Sequence, residues 1–303
     1  MPVEEVRSHH EQMADAEKQI KRNPHPDFKK VEASRPDWPE DDKWIFTKTR
    51  KPDWNFGQGP NDDGECLQKN HISIDPYEPG RPAPFNYKLL ISAIIPRPIG
   101  FCSTQNKDGK RNLAPFSYFQ VIGHDPPLFI FGFSGGFDQA KDTLRNLVET
   151  GECCVNIISE HFIEAANACS INAPYGISEW DLSGLHPVAC KDVKPPRVQE
   201  AVFSVEAKLH RTEEFESRVT KGKKTSVLAI VEGVRFWVRE DAINEERNLI
   251  DPDVLRPIAR LGGITYSRTL DGIEIPRPDW QTENVDGNLE SLLKDDRDGH
   301  VQL

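Results

Sequence analysis

Three short stretches of this 303-residue chain gather residue types suited to holding an anionic, planar ligand. Ser103 and Thr104 place two hydroxyls at the end of an apolar run that begins at Pro98. Asn112, Ala114, Phe116 and Ser117, within "NLAPFSYF", set an amide and a hydroxyl among aromatic surface. In "SGGFDQAKDTLRN", Gly135 and Gly136 precede Lys141, Asp142 and Thr143. A helix start offers free N–H groups at the positive end of the helix dipole. Glycines let backbone amides approach a phosphate, and a lysine adds charge. Each stretch has a plainer reading beside this one. Ser103 and Thr104 can simply end a strand, Asn112 can satisfy a turn, Asp138 can cap a helix, and Lys141 can be a solvated side chain.

Other chemistries lack their residues. There is no G-x-G-x-x-G after a strand, no phosphate-binding G-x-x-x-x-G-K-[ST] and no G-x-S-x-G elbow. His124 and Asp125 lie near Ser117 in sequence, but a hydrolytic triad is defined by geometry, not by proximity along the chain. The six cysteines show no C-x-x-C and the nine histidines no H-E-x-x-H, so a metal site is not expected. The cysteines read instead as buried, reduced thiols of a cytoplasmic protein. The net charge of -11 and pI of about 5.4 argue against nucleic acid or an anionic membrane as partner. No apolar run approaches the roughly 18 residues that a membrane span needs.

The elements that must position these groups follow from periodicity. Residues 1–84 read as a polar, Pro-rich extension with a short helix over Glu11–Arg22 and little else regular. It carries "RPDW" at Arg35–Trp38 and "KPDW" at Lys51–Trp54, and "RPDW" returns at Arg277–Trp280. These copies read as extended arms whose tryptophans pack into a groove, with a docking motif as the alternative. Residues 85–268 read as the folded core. Strands are expected over Pro98–Thr104, Asn112–Ile122 and Leu128–Ser134, with a hairpin turn at Lys107–Gly109. Ala140, Leu144, Leu147 and Val148 share one helical face that Gly151 ends. A strand over Glu152–Ile158 and a short helix over His161–Cys169 come next. Phe203, Val205, Ala207 and Leu209 alternate with Ser204, Glu206, Lys208 and His210, as in a strand with one wet face. Val227–Val238 is a long strand with a bulge near Gly233, and "RLGGITYSR" closes the core. Many short strands and few helices predict a mainly β fold, a closed or nearly closed barrel. Residues 269–303 read as an acidic tail.

Eight motifs in fixed order carry a resemblance: "PRPIGFCST", "DGKRNLAPFSYF", "DPP", "KDTLRNLVETGE", "VNII", "SGL", "VKPPRV" and "RLGGITY". Together they resemble the flavin reductase-like proteins of the FMN-binding split β-barrel class, which includes flavoredoxins and the reductase component of nitrilotriacetate monooxygenase. The resemblance covers roughly residues 85–268, and the extensions on either side look like those of fungal members. It implies a Greek-key split barrel with a few short helices, one FMN per chain and NAD(P)H as co-substrate. It implies that Ser103 and Thr104 line the cofactor. Asn112, Ala114 and Ser117 would touch the isoalloxazine and ribityl chain. Lys141, Asp142 and Thr143 would stand beside the phosphate, and Arg97 would contact the cofactor. His124 receives no role. The implied activity is hydride transfer from NAD(P)H to flavin, which then serves a partner monooxygenase or another acceptor. Direct reduction of an organic substrate or metal ion by bound FMN, and a non-enzymatic redox carrier, remain alternatives. A homodimer that builds the flavin site at its interface is also implied. Lys110, Arg111 and Arg145 are candidates for choosing between NADH and NADPH.

Overall fold

The structure, a computed structural model, describes residues 24–293. The helix expected over Glu11–Arg22 lies outside the described residues. The described residues divide into two units, residues 24–42 with 75–270 and residues 43–74 with 271–293.

The first unit is built on one seven-stranded antiparallel sheet. Its strands are β1 (Gly100–Gln105), β2 (Arg111–Phe116), β3 (Phe119–His124), β4 (Pro127–Ser134), β5 (Glu152–Ile157), β6 (Phe203–Glu216) and β7 (Lys224–Val238), in the spatial order β2-β1-β5-β6-β7-β4-β3. The two edge strands, β2 and β3, are separated in sequence only by Ser117 and Tyr118. A sheet whose opposite edges are joined by two residues must curl back on itself. Phe116 at the end of β2 accordingly packs 4.9 Å, centroid to centroid, from Phe133 of β4, and the Gly132 N–H donates to the Tyr118 carbonyl at 2.7 Å. The single strand expected over Asn112–Ile122 is therefore two strands with a corner between them. Alternation alone continues across the corner and gives no sign of it.

Local chemistry explains the connections. In the β1–β2 turn the Asn106 side-chain carbonyl accepts from the N–H groups of Asp108 and Lys110 at 3.0 and 2.9 Å, and Gly109 supplies a φ of +85°. The long β6–β7 pairing shifts register between Gly233 and Arg235, where the bulge was expected. Helix α1 (Ala83–Ala93), with proline in its first turn, was not anticipated. Helix α2 (Asp142–Thr150) ends where Gly151 adopts a φ of 74°. Leu144 and Leu147 are buried inside the barrel with Phe119, Phe129, Phe131 and Phe133, a contribution of about 1.5–3 kcal/mol for each leucine. Val148 is exposed and Ala140 precedes the helix, so the buried face is narrower than its apolar spacing suggests.

Alternate residues of the same strands serve a second core. Phe101 and Leu113 face Phe162, Ala166, Trp180 and Leu185, brought by the segment that holds α3 (Ile163–Ala168) and α4 (Glu179–Ser183). The wet face expected on β6 is not wet at its start. Ser204 and Glu206 are buried, Ser204 donating to Asn156 at 2.7 Å. Strand alternation reports polarity, and here the polar residues are paired internally. The sequence "RLGGITYSR" forms a separate hairpin, β8 (Ile258–Arg260) with β9 (Tyr266–Arg268). Trp38 lies on the Arg268 guanidinium, 4.2 Å from its ring centroid.

The second unit pairs Ile45–Thr47 in parallel with Asp271–Ile273. The stretches read as an irregular leader and a tail thus share one small sheet. Trp54 and Trp280 of the repeated motif both belong to this unit, where the Trp54 indole donates to the Gly59 carbonyl at 2.8 Å.

Candidate active site

A cavity of about 220 Å³ opens where the barrel edges meet. Pro115, Phe116, Ser117 and Tyr118 line it from the β2–β3 corner, Gly132, Phe133 and Ser134 from β4, and Tyr87 and Ile91 from α1. Arg97, Lys141, Arg260 and Gly263 complete the lining. Aromatic walls and cationic or hydroxyl donors thus face one space.

Of the nine residues singled out by sequence, the structure brings Arg97, Ser117 and Lys141 to this cavity. Arg97 is buried, and its guanidinium is largely committed. One terminal nitrogen donates to the carbonyls of Ile91 and Ile94 at 2.6 and 2.7 Å, and the other to Leu261 at 3.0 Å. It caps the orphan carbonyls at the end of α1, where a cation is favoured, and ties that helix to the hairpin carrying Arg260. Its Nε faces the Ser117 hydroxyl at 3.5 Å. Arg97 therefore builds the wall of the cavity and holds Ser117. Lys141 is not in the first helical turn, as the sequence suggested. It is the extended N-cap residue of α2, exposed, with the free N–H groups of the next residues behind it.

Thr104, Asn112 and Thr143 lie together behind the cavity in a buried polar knot. The Asn112 amide donates to the Thr143 hydroxyl at 2.8 Å and faces that of Thr104 at 3.4 Å, while the Asn146 amide donates to Thr104 at 3.2 Å. This knot pins the start of α2 to β1 and β2, and so fixes where Lys141 stands. Ser103 points to the other core, its hydroxyl buried and without a hydrogen-bond partner among the described residues. Ala114 is half-buried opposite Cys102. Asp142 is the first residue of α2, half-buried, and its charge, after burial itself, helps push the Glu179 carboxyl above its ordinary range. Glu179 accepts the Leu113 N–H from the free edge of β2 at 3.1 Å.

The glycine pair has a different use from the one its sequence suggested. A Cβ on Gly136 would fall 2.7 Å from the Cβ of Lys224 and 2.8 Å from the Glu214 carboxylate, so this glycine admits close approach of the β6–β7 hairpin. His124 is exposed at the β3–β4 turn and does not line the cavity. Sequence reasoning missed Tyr87, Ile91 and Arg260. Arg260 belongs to the "RLGGITY" motif, which closes the core and is one of the eight motifs of the resemblance but by itself assigns the arginine no role. Tyr87 stands near the edge of the expected core, and it is exposed close to Tyr118, whose own pKa is raised by burial and then by Tyr87.

Thiol chemistry has no support here. The six cysteines are free, and four are buried, but Cys66 is exposed and Cys190 half-buried, against the expectation that all six would be buried. A hydrogen bond to Cys153, together with burial, holds the Cys102 thiol well above the ordinary range, and burial pushes Cys169 up to about 11. Among the described residues no group of His, Cys, Asp and Glu could hold a metal ion, and no helix is long and apolar enough to cross a membrane.

Residues 92–255 match the flavin reductase like domain. Nitrilotriacetate monooxygenase component B from Bacillus cereus superposes with a TM-score of 0.64 at 34% identity, over 68% of this chain and 100% of that one. For 2-nitrobenzoate 2-nitroreductase from Pseudomonas fluorescens the values are 0.60 and 30%, over 69% and 96%. A split-barrel protein from Shewanella frigidimarina shares the fold at 21% identity, with a TM-score of 0.58 over 69% of this chain.

Proposed function

From a chain that belongs to the flavin reductase-like domain family and folds as its split barrel, we infer an NAD(P)H-dependent flavin oxidoreductase that binds FMN at the barrel seam. The observation that carries this reading is the cavity itself, where Phe116, Phe133 and Tyr118 supply flat apolar surface and Ser117 and Lys141 supply donors. The residues fit the group. A ring system can lie against the aromatic wall, and a phosphate can meet the Lys141 ammonium at the N-terminal end of α2. When bound, FMN supplies the hydride chemistry, accepting from NAD(P)H and passing electrons onward. The chain's own part is to bind, to orient and to exclude water. Arg97 and the Thr104–Asn112–Thr143 knot hold the donors in place, and no general base is required.

The favoured use of the electrons is supply of reduced flavin to a partner monooxygenase, a reading supported by the likeness to a Bacillus cereus protein named as a monooxygenase component. The likeness to a nitroreductase favours a second reading, in which bound flavin reduces an organic substrate directly. The exposed apolar residues Val121 and Ile122 on edge strand β3 support a homodimer, and the free thiols suit a cytoplasmic setting. The test is the visible spectrum of the purified protein before and after anaerobic NADH or NADPH, followed by excess free FMN. Bleaching of bound flavin and many turnovers of free FMN are expected. Bleaching without turnover of free FMN moves the assignment to the second reading, and absence of flavin affinity removes both.

A further inference from the structure

A second cleft, of about 570 Å³, shares no lining residue with the flavin cavity. Its walls include Arg197, Gln199, Val202, Trp237, Arg239 and Glu240. Leu228 of β7 pairs with Gly132 of the flavin cavity, and Trp237 lies nine residues further along the same strand. At about 3.3 Å per residue that separation is roughly 30 Å.

The cleft is held rigid from the core. Glu206 is fully buried. Burial pushes its carboxyl up, but the N–H groups of Lys191, Trp237, Asp192 and Val193 outweigh that and hold it below the ordinary range. One of those bonds, 2.6 Å from the Trp237 indole, fixes the ring. The ring in turn carries the Arg197 guanidinium, 4.8 Å from its centroid, with the Lys191 ammonium at 5.3 Å.

Arg197 differs from its neighbours. Arg235 pairs with Asp192 at 2.6 Å, and Arg239 pairs with Asp241 through two bonds. The Arg197 side chain has no hydrogen bond or ion pair among the described residues, and its Nε is sealed from water without a partner. The terminal nitrogens are not sealed and have no partner among the described residues, which leaves them as the donors that Arg197 can offer to the cleft. A guanidinium fork is matched by a carboxylate or a phosphate. Two features choose between them. Glu240 on the same wall disfavours a second negative charge, and Ala201, Val202 and Val238 offer an apolar floor that a bare phosphate would not use.

We propose that this cleft is a binding site for a small organic monocarboxylate with an apolar or aromatic body, its carboxylate on Arg197 and its body over Val202 and Val238. The site is independent of the flavin reading.

The test uses the full-length protein labelled with 5-fluorotryptophan, with the Trp237 ¹⁹F resonance assigned from Trp237→Phe. Benzoate, its neutral counterpart benzamide and inorganic phosphate are titrated separately. Benzoate should shift the Trp237 resonance saturably, with benzamide and phosphate each at least tenfold weaker. Arg197→Gln should weaken benzoate by roughly tenfold to 150-fold, the range for one charge-assisted contact, and leave flavin content unchanged. No saturable shift with benzoate, benzamide binding as tightly, or an unaltered affinity in Arg197→Gln would each overturn the proposal. Phosphate binding more tightly than benzoate would overturn the monocarboxylate assignment. Should Arg197→Gln not fold, the benzoate–benzamide comparison on unsubstituted protein decides alone.

Discussion

Asn112→Ala tests the proposed flavin site most directly. Asn112 is 5% exposed and gives its amide to the Thr143 hydroxyl at 2.8 Å, the shortest bond of the polar knot. Truncation leaves that hydroxyl buried without its donor, which costs about 1–3 kcal/mol, and the void left behind adds about 1 kcal/mol. A total of about 2–4 kcal/mol in a unit of this size lowers Tm by roughly 4–16 °C. The effect should depend on Thr143. Asn112→Ala, Thr143→Val and the double variant form a cycle, read by urea unfolding, with an expected coupling of about 1 kcal/mol. Because the knot fixes the start of α2, FMN affinity should fall in the single variants even where the protein remains folded, and riboflavin affinity should fall less. Additive effects within about 0.3 kcal/mol, or unchanged FMN affinity in a folded Asn112→Ala protein, would refute the claim that the knot positions Lys141.

Lys141→Ala should weaken FMN about tenfold, the lower end for a charge-assisted contact at an exposed site, and leave riboflavin affinity unchanged; equal loss for both ligands in equilibrium dialysis would sink the phosphate assignment. Glu179 has its pKa raised above the ordinary 4.5, first by burial, so its stabilising protonated form is fully present below about pH 4.5 and its contribution is lost as pH rises through the folded value. Glu179→Gln should therefore be more stable than the parent at pH 7 and lose that advantage in acid, as followed by thermal unfolding across pH; a constant difference would contradict the cause given. A Cβ on Gly100 would stand 2.7 Å from the Phe119 ring and 2.8 Å from Phe131, so Gly100→Ala should destabilise by about 1–3 kcal/mol, and a neutral result in denaturant titration would show that the barrel interior yields more easily than its packing implies. Light scattering should give about twice the chain mass of 34.4 kDa, and a monomer that retains FMN would remove the shared site.

What could be read from the sequence was mostly local. The Asn106–Lys110 turn, the Gly151 helix stop and the bulge near Gly233 each rest on residues close together in the chain, and each stands where expected. The misreadings have a common origin in distance along the chain. Glu206 looks solvated on its strand, and only the return of Lys191, Asp192 and Val193 shows that its charge is satisfied inside. Arg97 looks like a ligand-binding cation, and its carbonyl partners include Leu261, 164 positions away. The Ile45–Thr47 strand finds its partner at Asp271–Ile273, beyond the reach of any pattern within either stretch. At the candidate site the residue types were legible, but the division between cavity lining and buried support was not, because a hydroxyl or amide serves equally in either place.

The joining of β2 to β3 across two residues bears on how the protein is made. Strands β1 and β2 form one local hairpin, and β3 and β4 another, but these hairpins stand at opposite ends of the sheet. Strand β5 lies beside β1, and only the β6–β7 hairpin bridges β5 to β4. A nascent chain that has left the ribosome as far as Ser134 thus owns both rims of the seam without the staves between them. Closure waits for roughly a hundred further residues, to the end of β7 at Val238, and long-range pairing of this kind is slow. During that interval the faces of Phe119, Phe129 and Phe131 have no opposite wall, so the growing chain is most prone to misassociation midway through its synthesis. Capture of any ligand at the seam belongs to the last stage of biogenesis, and a ligand supplied early has nothing to bind.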